Sequence, residues 1–193
     1  MKRHLHVLVV WALAAAGLMA GRGVLAQAGR PVAITVNVAS DTERKGQGTG
    51  VQVTEKKTLQ ITVANLTGQD FAALQVKYHL FGKAADDKKV SVTRSGEEEV
   101  KLARMGKVKV ESGTVGFTFT PRHTEKVGKS NITVPPAGEK YAGYAVQVYQ
   151  GTNMLTEAIE PVDLRPILLA EMQQQEKEAK EDKEGKKKEK KAE

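Results

Sequence analysis

The sequence predicts an all-β fold: an antiparallel sandwich of roughly 7–9 short strands, followed by a charged tail that is helical or disordered. Three observations predict it. Apolar residues recur with period two along 29–160, the mark of strands with one buried face. Clusters of turn formers punctuate those rows. No stretch of 29–160 keeps a helical period over three turns.

Residues 1–28 read as a secretory signal peptide. Lys2 and Arg3 open it, and the uncharged run Val7 to Ala20 follows. Val24-Leu25-Ala26 and Ala26-Gln27-Ala28 each offer small residues for cleavage, after Ala26 or after Ala28. A spanning helix needs about 20 apolar residues. This run is shorter and meets Gly21, Arg22 and Gly23, so no stable transmembrane segment is expected after processing.

The strand-forming domain is expected over 29–166. Its first row is Val32, Ile34, Val36 and Val38. Lys45-Gly46-Gln47-Gly48-Thr49-Gly50 breaks it, and Val51/Val53 and then Leu59, Ile61 and Val63 resume. Asn65-Leu66-Thr67-Gly68 is the next turn, before Leu74, Val76, Tyr78 and Leu80. Short rows follow at Val90/Val92, Val100/Leu102 and Val108/Val110, with turns expected at Ser95-Gly96 and Ser112-Gly113. Val115, Phe117 and Phe119 form the next long row. Arg122 to Lys140 holds few core-type residues and is expected to cross the surface between sheets, ending at Pro135-Pro136-Ala137-Gly138. Tyr144, Val146 and Val148 then lead through a tight turn at Gln150–Met154 into Leu155–Ile159. One apolar and one polar face per strand suits two sheets packed face to face; a closed barrel is the alternative.

Residues 167–193 form a separate charged, low-complexity tail. Leu164, Leu168 and Met172 share a spacing of four, so one helical face is available to dock on the domain. Beyond Met172 no apolar stripe continues.

Composition excludes several chemistries. The chain has 193 residues, 20.9 kDa and no cysteine, which excludes a disulfide scaffold, a thiolate metal site and a cysteine nucleophile. Removing Lys2, Arg3 and Arg22 with the signal segment leaves 27 basic against 23 acidic residues, a net of +4. That ordinary balance argues against nucleic acid as a partner.

Leu59-Gln60-Ile61-Thr62-Val63-Ala64-Asn65-Leu66-Thr67, then Phe71 to Phe81, and later Tyr141-Ala142-Gly143-Tyr144-Ala145-Val146-Gln147-Val148-Tyr149 resemble strands of bacterial exported immunoglobulin-like or fibronectin type III-like modules. The resemblance covers roughly 31–163 and rests mainly on the alternation. It implies a sandwich and a habit of mediating contacts. It brings no catalytic residues, and fold alone does not decide function.

Candidate chemistry is sparse. After processing, only His79 and His123 are left among the histidines. His79 is out of phase with Tyr78 and Leu80 and is expected to face solvent or a polar interface. Two histidines without a carboxylate cluster make no zinc site. Glu97-Glu98-Glu99 and Asp86-Asp87 read as solvated loop or edge charge. Gly46, Gly48 and Gly50 lack the lysine and helix of a phosphate loop. Phe117, Phe119, Tyr78 and Tyr144 read as core, whereas Tyr141, Tyr149, Phe71 and Phe81 are candidates for exposed rings that hold a sugar. Asn65-Leu66-Thr67 and Asn131-Ile132-Thr133 match the glycosylation sequon.

These readings converge on an exported, non-enzymatic domain without cofactor or metal, periplasmic or extracellular. It is expected to bind a protein partner in the cell envelope. Binding of a glycan or cell-wall polymer is the alternative.

Overall fold

The computed structural model describes residues 30–46, 50–87, 89–174 and 177. The signal peptide expected over 1–28 and the end of the expected tail lie outside the described residues. The strands are β1 (Val32–Lys45), β2 (Gln52–Asn65), β3 (Phe71–Ala84), β4 (Val90–Leu102), β5 (Lys107–Thr120), β6 (His123–Val127), β7 (Ser130–Val134), β8 (Ala137–Gln150) and β9 (Asn153–Glu160). A 3-10 turn, Val162–Leu164, then leads into a helix, α1, over 165–174.

The fold is all-β and sandwich-like, and every strand pairing is antiparallel. One layer has the order β1-β2-β5 and the other β9-β8-β3-β4. β8 joins them: Ala137 and Gly138 pair with Thr120 and Phe119 of β5, after which the strand runs beside β3. The alternating rows supply the space between the layers. Leu59, Ile61, Val63, Val110 and Phe117 meet Leu74, Val76, Leu80, Val100, Leu102, Val146 and Val148 there, all buried. Each such side chain contributes on the order of 2 kcal/mol by leaving water.

Two expected turns are strand interior. β5 passes through Ser112-Gly113 as a bulge, where the register with β2 slips between Thr58 and Gln60. Ser112 Oγ accepts the Leu59 amide at 2.9 Å, replacing the displaced ladder bond, and Gly113 takes φ +68°. β4 passes through Ser95-Gly96 because the Tyr78 ring crosses its backbone there. A Cβ on Gly96 would lie 2.3 Å from that ring. The expected surface crossing at 122–140 contains a hairpin of its own, β6–β7, which forms a separate two-stranded ladder.

A second buried cluster covers the outer face of the β9-β8-β3-β4 layer. Leu164 and Leu168 seat on Phe81 and Ala145, with Ile159, Ile167, Val92 and Met172 packed around them. The four-residue spacing of Leu164, Leu168 and Met172 therefore does dock one helical face. A helix of a few turns is marginal alone in water, so this seam holds it.

Candidate contact surface at the loop end

Asn65 ends β2 with its side chain turned into the domain, 2 % exposed. Its Nδ2 donates to the Gln69 carbonyl at 2.7 Å and to the Ala103 carbonyl at 3.0 Å. Its Oδ1 accepts from the Thr67 amide and the Thr67 hydroxyl, each at 2.8 Å. One amide side chain thus folds the β2–β3 loop and ties it to the β4–β5 loop. Backbone bonds complete the clamp: Asn65 N to Gly106 O at 2.9 Å and Met105 N to Thr67 O at 3.1 Å. The Arg104 amide adds a 2.7 Å bond to Asp70 Oδ1.

The clamp fixes an unusual presentation. Gly106 N bonds Ala103 O at 2.9 Å, closing a tight turn with Met105 at its third position. Met105 takes φ +54°, a region that favours Gly or Asn and costs other residues about 1–2 kcal/mol. The residue is 69 % exposed, so packing offsets little of that cost. On the adjoining loop Leu66 is 52 % exposed, its amide held by Pro31 O at 2.9 Å. Two large apolar side chains therefore stand in water on loops tied together by these hydrogen bonds.

The residues singled out from sequence go elsewhere. His79 has the expected phase but lies buried, 7 % exposed, because α1 covers the outer face toward which it points. Among the described residues its Nδ1 has no hydrogen-bond partner. Burial holds its pKa below the usual value; Lys77 adds to this and Glu171 of α1 opposes it. His123 sits apart, at the base of β6. Its Nδ1 meets Pro121 O and its Nε2 meets Glu125 Oε1, each at 3.0 Å, and both contacts raise its pKa. Glu97 pairs with Lys77 at 3.3 Å on the outer face of β3–β4. Among the described residues no group of three His, Cys, Asp or Glu is placed to hold a metal ion.

The tyrosines form no platform. Tyr141 turns into the core, edge-on to Phe117 at 5.4 Å between ring centres, with Lys57 Nζ above it at 5.2 Å. Burial pushes its hydroxyl pKa up strongly. Tyr149 lies on the opposite face of β8, bonded to Gln147 and covered by Lys77. Phe81, expected among the exposed rings, is fully buried beneath α1. A shallow cavity of about 170 Å³ on the outer face of β1-β2-β5 is lined by Thr35, Asn37, Gln60, Thr62, Lys109 and Glu111, without a ring. Of the two sequons, Asn65 has both Nδ2 hydrogens engaged inside the clamp, whereas Asn131 on β7 is exposed.

Among the described residues no helix is long and apolar enough to cross a membrane. The sequence matches no family model and no curated protein. Among solved structures, it is similar to an X-ray structure of a Northeast Structural Genomics Consortium target. There the identity is 17 %, 58 % of this chain and 84 % of that chain are covered, and the TM-score is 0.30. A crystal structure from Akkermansia muciniphila aligns at 9 % identity, over 67 % of this chain and 70 % of the other, with a TM-score of 0.22. At these scores neither likeness bears on fold or function.

Proposed function

We propose that the protein is an exported, non-enzymatic module that binds a protein of the cell envelope through its loop end. The observation that carries this reading is the exposed Leu66–Met105 pair, held rigid by Asn65 and strained at Met105. Exposed apolar side chains on a preorganised frame make good contact anchors, because little conformational freedom is lost on binding. Methionine adapts its shape to the surface it meets. The N-terminal sequence supports export. The strand order supports a finer reading of the fold. We infer a fibronectin type III-like module, in which β1-β2-β5 faces β4-β3-β8-β9 and β6–β7 is an insertion. A glycan site lacks support, since Tyr141 and Tyr149 lie on opposite faces.

The test is affinity capture from cell-envelope extract with the wild type and Met105→Gly. Glycine accepts the positive φ, so this variant is expected to gain about 1 kcal/mol in denaturant unfolding. It is also expected to lose the captured protein. Equal capture by both proteins would remove the loop end from the contact.

A further inference from the structure

The β6–β7 hairpin stands outside both layers. Its ladder has five residue pairs, from His123 with Val134 to Val127 with Ser130, and among the described residues no third strand joins it. Two strands alone are marginal in water. The hairpin also leaves apolar side chains open, on the face that carries His123, Glu125 and Ser130. Val127 is 56 % and Ile132 49 % exposed, and the register puts them on the same side, with Val134.

Its two edges differ in chemistry. β6 reads His-Thr-Glu-Lys-Val, and β7 reads Ser-Asn-Ile-Thr-Val. β7 carries no charge and no proline, and three of its five residues are β-branched. Such an edge invites another strand, whereas charged edges resist one. Antiparallel self-pairing of β6 about its centre would put Glu125 against a second Glu125, which is repulsive. The same pairing of β7 puts Ile132 against Ile132, Asn131 against Thr133 and Ser130 against Val134, with no like charges opposed.

We propose that the open edge of β7 pairs antiparallel with β7 of a second copy of this chain, about a two-fold axis through Ile132. The product is a four-stranded sheet whose outer edges are the charged β6 strands. Ile132, Val127 and Val134 of both copies share one face of it. The pairing is isologous, so it closes as a dimer instead of growing into a fibre. It does not depend on what the loop end binds.

The test is sedimentation velocity on the purified protein from about 1 μM to about 500 μM, a range that resolves weak association. The wild type is expected to shift from monomer to dimer as concentration rises. Ile132→Lys and Ile132→Glu place like charges across the axis, and each is expected to raise the dimer dissociation constant about tenfold or more. An equimolar mixture of the two variants is expected to regain association as a heterodimer. A hairpin that had merely unfolded would not be rescued that way. A wild type that stays monomeric throughout would overturn the proposal. So would unchanged dimers of either variant, a mixture that fails to associate, or a hairpin that pairs only when another envelope protein is added.

Discussion

Asn65 holds more of the loop end together than any other side chain there. Removing it takes one donor each from the Gln69 and Ala103 carbonyls, which keep Thr67 Oγ and Gly106 N, and takes from the Thr67 amide its Asn65 acceptor. Each unsatisfied buried group costs about 1–3 kcal/mol, offset where water can enter. Asn65→Ala is therefore expected to lower unfolding free energy by about 2 kcal/mol. Asn65→Asp is expected to cost at least as much. It keeps the shape but turns an acceptor-only carboxylate oxygen toward two carbonyl oxygens, which repel it. Denaturant unfolding at fixed pH checks both, and a loss under about 1 kcal/mol for either would mean that water already satisfies this site. Met105 is the converse case: its strain contributes nothing to the fold. Stability and binding are thus expected to move in opposite directions at position 105 and together at position 65.

At the scale of elements, the acid response belongs to α1 and the strand beneath it. His79 faces Ser95 of β4 and Ala145 of β8 in register, with Glu171 above from the helix and Lys77 two residues along its own strand. Its folded pKa lies below the usual 6.5, because burial disfavours the charged ring. On acidification the unfolded chain takes up the proton first. The stability linked to His79 is thus fully present above about pH 6.5 and is lost as pH falls toward the folded value. His79→Leu, which replaces the titrating ring with an apolar side chain, is expected to flatten the loss of stability between about pH 7.5 and 5.5. Parallel losses in the two proteins would assign acid sensitivity elsewhere. The same element shows what was legible in the sequence. Alternation identified every inner row, and the spacing of Leu164, Leu168 and Met172 announced a docking face. Neither signal says which surface a helix will cover, so His79 and Phe81 read as exposed. Period two also cannot tell a bulge from a turn, as at Ser112-Gly113. The loop end was half legible. Asn65-Leu66-Thr67-Gly68 declared a turn, but in Ala103-Arg104-Met105-Gly106 local chemistry assigns the positive φ to glycine, whereas the clamp imposes it on methionine.

Across the whole molecule the two proposed contacts lie at opposite ends. β5 starts at the loop end with Lys107 and finishes at Thr120, three residues before the hairpin. Its fourteen residues span roughly 45 Å. Nothing in the core has to change for one contact to form in the presence of the other, and sites so far apart should act additively. Joining two copies through β7 points two Leu66–Met105 pairs outward from one particle. Partner molecules fixed densely on a surface would then be engaged twice, and the second engagement is governed by effective concentration. The Ile132→Lys monomer is accordingly expected to match the wild type in binding a dilute, soluble partner. From a dense immobilised layer of that partner it should dissociate faster, by about tenfold or more. Surface-binding kinetics at two partner densities read this directly. A density-independent off-rate for the wild type would mean that its two loop ends cannot reach neighbouring partners together, and the dimer would then serve assembly instead of avidity.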